Sequence, residues 1–145
     1  PCLFAALMGL GRILHAKLSD RAPLGKVMAG CAALCIAGYL LASLAGSALV
    51  SLIGCALVGF SVGIFWPGTF SLAAKGCPSG GTAMFALLAL AGDLGCASGP
   101  AAVGFVAKAA GDALRVGLLA AIGFPVLLLL GLWLRGKAEV AELKD

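Results

Sequence analysis

The sequence predicts an all-α, polytopic membrane helix bundle. Three observations carry that prediction: the apolar content, a charge-free run too long for one crossing, and the lack of strand-like alternation. Of the 145 residues, 62% are hydrophobic and only 11% charged, with a mean hydropathy of +1.13, which lies far outside the soluble globular range. From Val27 to Ala74 there is no Asp, Glu, Lys or Arg. As one helix that run would measure roughly 70 Å against a hydrocarbon layer of about 30 Å, so it folds as two spans. A closed β-barrel would show segments of about ten residues alternating apolar and polar, and these Leu/Ala/Gly-rich runs do not.

In chain order, the apolar run Pro1 to Leu10 would reach only about 15 Å as a helix. Since Pro1 is not an initiator methionine, this run is expected to be the end of a span begun upstream. It lacks the basic stretch and cleavage site of a secretory signal peptide. The segment GRILHAKLSDRAPLGK, Gly11 to Lys26, sets Arg12, Lys17, Arg21 and Lys26 against a single Asp20 and reads as a basic loop, with His15 a solvated residue in it. Four full spans follow, approximately 26–45, 49–74, 81–107 and 114–134. Residues 1–134 thus form the bundle and 135–145 a short charged tail. Counting alternate sides, Arg12, Lys17, Arg21, Lys26, Lys75, Arg135, Lys137 and Lys144 share one side, and Lys108 and Arg115 fall on the other. The positive-inside rule makes the first side cytoplasmic, so a multi-pass protein of the cell membrane with a cytoplasmic C-terminus is expected. The net charge of +4 is a topology signal and no nucleic-acid footprint.

The connection around Ser43 to Ser47 consists of a few small residues, which predicts a tight antiparallel hairpin. At Gly76 to Gly80, Pro78 and paired glycines end another span. Among the 22 glycines, Gly59 and Gly63 are four apart, as are Gly95 and Gly99, with Gly92 a turn before. In lipid, small residues at that spacing let helix backbones approach and gain dispersion contacts. Pro67, Pro100 and Pro125 fall inside spans, where each removes a backbone donor and bends the helix. Such breaks are packing features in many membrane helices and ligand sites in transporters.

The chain offers nothing for an enzyme: no nucleophile with its base, no phosphate-cradling loop and no dinucleotide fingerprint. Its six cysteines include no CxxC pair, and Cys31 and Cys35, on one helix face, read as small apolar packing. No cofactor or metal is expected.

The candidate site centres on Asp93, the one charge in the span Gly81 to Ala107. A carboxylate at that depth costs about 2.5–3.5 kcal/mol on insertion scales, so it must face protein or water. Either it carries a proton or contacts a cation, or it is a structural acid satisfied by backbone near Gly92 and Gly95 or by a hydroxyl from another helix. In FSVGIFWPGTFSL, Phe65, Trp66, Thr69 and Phe70 cluster around the Pro67 bend. There an aromatic plane beside a hydroxyl suits a solute that stacks and hydrogen-bonds. The alternative is an interfacial aromatic belt or a filler between helices.

Two segments carry a resemblance. AKLSDRAPLGK, Ala16 to Lys26, resembles the gating loop of the major facilitator superfamily, with Asp20 and Arg21 matching its acid and base, and Gly25 and Lys26 its closing glycine and base. Ala16 stands where glycine is usual, and two extra residues precede Gly25. FWPGTFSLAAKG, Phe65 to Gly76, with AGDLGCASGPAAVG, Ala91 to Gly104, is similar to the tenth and eleventh helices of fucose-permease-like sugar:proton symporters. Asp93 stands where that group more often has glycine. The resemblance implies the C-terminal part of a twelve-helix transporter, helices eight to twelve, completed by N-terminal helices of the same protein. It implies a small solute as cargo, a sugar with a proton in the first instance. The rival class is a self-contained four-helix protein, either a small multidrug exporter or a non-transporting scaffold. Small exporters place their acid in the first helix, however, and here it lies in the penultimate one.

Overall fold

The computed structural model describes residues 2–19 and 23–142, and the side chains of 2–17 and 23–137. Seven helices occupy them: α1 (Cys2–Ser19), α2 (Leu24–Leu44), α3 (Ala48–Val62), α4 (Phe65–Gly76), α5 (Gly81–Ala109), α6 (Leu114–Ala120) and α7 (Gly123–Glu142), with no strand among the described residues. Four stretches are long and apolar enough to cross a membrane: Leu24–Leu44, Ala48–Gly76, Gly81–Ala109 and Leu114–Lys137. The second of these joins α3 to α4, and the fourth joins α6 to most of α7.

Two breaks divide those composite spans, and each comes just before a proline. α3 ends at Val62 and α4 starts at Phe65. Pro67 has no N–H to offer the Gly63 carbonyl, and the ladder resumes with the Gly68 N–H donating to Ile64 O at 2.8 Å. Likewise α6 stops at Ala120, and Pro125 lies in the first turn of α7, where a proline removes no bond that the helix would otherwise make. Pro100 differs, because α5 runs through it without interruption.

The basic segment after Leu10 is helical as far as Ser19. α1 continues to Ser19, because Arg12, Leu14, Ala16 and Lys17 are all good helix formers and no Gly or Pro follows Gly11 up to Ser19. The continuation is also packed from within. A Cβ on Gly11 would lie 2.5 Å from Phe60 O. His15 is 5% exposed, its ring centroid 5.1 Å from that of Phe60, and its Nε2 is 3.5 Å from Cys31 Sγ. The expectation of a solvated His15 therefore fails. α7 extends to Glu142, so the charged tail begins as a continuation of the last helix. Gly25 and Lys26 belong to the first turn of α2, whereas Asp20 and Arg21 lie outside the described residues.

Glycines set how closely the helices approach. α2 and α3 form a hairpin joined by Ala45–Ser47, with the Val50 N–H donating to the Ser47 hydroxyl at 3.4 Å as an N-cap. Across it, a Cβ on Gly54 would stand 2.5 Å from Ala42 N and 2.7 Å from Gly38 O, and one on Gly38 would stand 3.0 Å from Gly54 O. The two backbones are in contact. Gly59 and Gly63 face α1, where added Cβ atoms would lie 2.6 Å from Phe4 O and 2.8 Å from Met8 O. Gly117 of α6 rests on Val103 O of α5. Met28, Cys31 and Ile64 make the small apolar core, covered by Phe65, Leu72, Leu128 and neighbouring side chains.

α5 stands apart from this packing. Ala107 is its one buried residue among those described, and Leu94 and Phe105 are 62% and 77% exposed. Gly95 and Gly99 have open space where a Cβ would be, so the close contact expected there is not made by any described helix. Turns at its two ends use left-handed backbone, Gly81 at φ +54° and Gly111 at +73°, the latter followed by Asp112 at +61°. Glycine adopts that conformation without steric cost, and Asp is among the few other residues that tolerate it.

Candidate functional site

The interrupted span organises the candidate site. Immediately after the Gly63–Ile64 break, α4 presents Phe65, Trp66, Thr69 and Phe70 in different directions. Phe65 packs on the core of Met28, Cys31 and Ile64. Thr69 turns its hydroxyl back onto its own helix, donating to Phe65 O at 2.7 Å, a common way for a helical Thr to satisfy itself. The hydroxyl expected beside the aromatic plane is thus already engaged. Trp66 and Phe70 do share a face, with ring centroids 4.7 Å apart. Phe70 in turn stacks on Phe85 of α5, at 5.6 Å and an interplanar angle of 15°. The six-membered ring of Trp66 lies directly over Gly92, where no Cβ would fit. An aromatic bridge therefore ties α4 to α5 one residue before Asp93.

Asp93 itself is exposed. Among the described residues no ion pair or hydrogen bond reaches it, neither from the backbone near Gly95 nor from a hydroxyl of another helix. It lies within 3 Å, along the axis, of the middle of Gly81–Ala109, at about 1.5 Å per residue, so in a bilayer its carboxyl would sit near the midplane. A charge there needs water or a protein partner, and no described helix supplies the partner.

Two cavities flank α4. The first, of about 510 Å³, opens between α1 and α4 and is lined by Arg12, His15, Trp66, Pro67, Ser71 and Lys75 with small and apolar neighbours. Its walls follow from helical spacing. Arg12, His15 and Ala16 fall on one face of α1 at i, i+3 and i+4, and Pro67, Ser71 and Lys75 on one face of α4 at steps of four. The second cavity, of about 460 Å³, lies on the other side, between α4, α5 and α7, and is lined by Met28, Thr69, Leu72, Met84, Leu128 and Arg135 among others. Trp66 and Thr69, three residues apart, thus look into different cavities.

Arg12, His15 and Lys75 were read from the sequence only as loop charges and a loop histidine. The i, i+3 spacing of Arg12 and His15 in α1 is the available signal, hidden by treating the basic segment as a loop; Lys75 lies in the last turn of α4. Gly11, Gly38, Gly54 and Gly117, whose contacts set the helix distances, were also missed. Gly38 and Ala42 form a small pair at i, i+4 that pointed to the α2–α3 contact.

The class this architecture defines is an all-helical membrane protein with four helices long and apolar enough to span a bilayer. Set against protein-family models, curated proteins and solved structures, the chain has no match. The functional reading rests on its motifs and its geometry.

Proposed function

We propose that the chain is the C-terminal part of a secondary transporter of the major facilitator type, which moves a small solute by alternating access. The observation that carries this reading is the interrupted span Ala48–Gly76 with a solute-sized cavity opening at its break. In transporters, discontinuous helices near the midplane free backbone groups for ligands and give two bundles a place to rock. A cavity of about 510 Å³ falls within the roughly 300–1,000 Å³ typical of small-molecule sites. The motif likeness of Ala16–Lys26 and of Phe65–Gly76 supports the same reading, with a sugar or sugar derivative as cargo and a proton as coupling ion. Asp93 is the group that carries the proton. The open face of α5 is covered by helices outside these residues, and lipid covers the rest. The test is accumulation of labelled monosaccharides and sugar acids in proteoliposomes under an inward proton gradient. Uptake above that of protein-free vesicles is expected, and dissipating the gradient should reduce it to passive exchange.

In this reading Arg12, Lys75, Arg135 and Lys137 face the cytoplasm, which places the exposed Cys77 on the same side. With Cys2, Cys55 and Cys96 replaced by serine, an impermeant thiol reagent should label Cys77 in inside-out vesicles and leave it unmodified in intact cells. Labelling in intact cells would reverse the orientation.

A further inference from the structure

We propose that the cavity between α1 and α4 is a site for a small organic anion, with the carboxylate of the solute held by Arg12 and Lys75. The inference rests on the transport reading for calling this ligand cargo and deepens it by naming the cargo's charge. Two cationic side chains and the imidazole of His15 line the cavity, and no Asp or Glu does so among the described residues. Arg12 approaches from α1 and Lys75 from α4, so an occupant would lie between positive groups carried by different elements. A cleft lined by one sign of charge with low-dielectric walls concentrates counter-ions.

The side chains suit a carboxylate on a compact, partly apolar body. The guanidinium of Arg12 offers the planar fork that pairs with two carboxylate oxygens, and Lys75 adds a point charge. Ser71, a turn before Lys75, can donate to or accept from a hydroxyl. Trp66 lines the same cavity at 47% exposure; with part of its ring held against Gly92, the remainder is a fixed surface for a ring face. A neutral sugar would use the tryptophan and the serine but leave both cations without a counter-charge. Charge therefore selects a sugar acid or similar carboxylate over a neutral hexose.

The test uses the purified full-length protein in nanodiscs of phosphatidylcholine, with Trp133 and any tryptophan outside these residues changed to phenylalanine, so that Trp66 alone reports. Glucuronate and glucose share a ring and differ in charge, and benzoate supplies a carboxylate on a flat apolar body. At constant ionic strength, glucuronate or benzoate should shift Trp66 emission saturably, with glucose at least about tenfold weaker. Arg12→Gln and Lys75→Gln should each weaken the anion by about tenfold or more, while Arg12→Lys keeps part of the affinity. Glucose binding as tightly as glucuronate would overturn the anion assignment and leave the transport reading standing. Indifference of Trp66 to both anions, or unchanged affinity in both glutamine variants, would overturn it too. If phosphatidylglycerol in the disc abolishes the glucuronate response, the positive groups serve a lipid headgroup and the solute assignment fails.

Discussion

Gly54→Ala will separate α2 from α3 and cost the protein about 1–3 kcal/mol of stability, the range for overpacking a close contact. The methyl group would stand 2.5 Å from Ala42 N and 2.7 Å from Gly38 O. Both neighbours are backbone, so no side chain can swing away and the helices themselves must move apart. Dispersion contacts between closely approaching backbones are a main source of association in lipid, and they are lost together when the spacing grows. Gly30 on α2 provides the control, since a Cβ there meets nothing within 4 Å. Gly30→Ala should be neutral or slightly stabilising, because alanine favours the helix by about 0.5–1 kcal/mol over glycine. The fraction of monodisperse protein surviving a heating series in detergent separates the two. Equal survival would mean that the hairpin is not held by this contact.

The second large effect is functional. Asp93→Asn will abolish accumulation driven by a proton gradient while leaving solute exchange without a gradient. The amide has the shape of the neutral acid and cannot release a proton. Asp93 is exposed and makes no bond among the described residues, so the substitution removes no packing contact there, and the variant should insert and fold like the parent. Undiminished pH-driven accumulation would take Asp93 out of coupling. Asp93→Leu separates the structural alternative: if an unseen helix hydrogen-bonds the acid, that variant loses stability and Asp93→Asn keeps it.

Much of the fold was legible because lipid imposes a simple rule. A charge-free run from Val27 to Ala74 must cross twice, and small residues at 43–47 leave room for nothing except a tight turn. α1 was misjudged for the converse reason. Charge density marks where a chain meets water, yet a helix can expose Arg12 and Lys17 and still bury His15 between them in sequence. The break at Gly63–Ile64 was signalled by Pro67, but the proline fixed only its neighbourhood, since a missing donor frees the carbonyl four residues earlier. The site was legible in part. Trp66 and Phe70 share a face as their spacing required, whereas Thr69 satisfied its hydroxyl at Phe65 O, a choice that spacing alone does not determine. The cavity walls joined α1 to α4, elements some fifty residues apart in sequence, and no local pattern announces such a meeting. At Gly95 and Gly99 the small-residue pattern indicates a close neighbour, but none of the described helices fills that role.

Alternating access is the central claim, and it can be tested without knowing the cargo. A cysteine in place of Trp66, which lines the cavity about 6 Å from the middle of Ala48–Gly76, samples the solute path. The exposed Cys2, Cys55, Cys77 and Cys96 would be replaced by serine, leaving the buried Cys31 and Cys35. The measurement is the modification rate of this Trp66→Cys variant by an impermeant thiol reagent, in sealed right-side-out and inside-out vesicles. A path that opens alternately predicts labelling from both sides. Modification confined to one side in every condition, with the protein folded, would contradict transport and leave a membrane scaffold with a one-sided cavity.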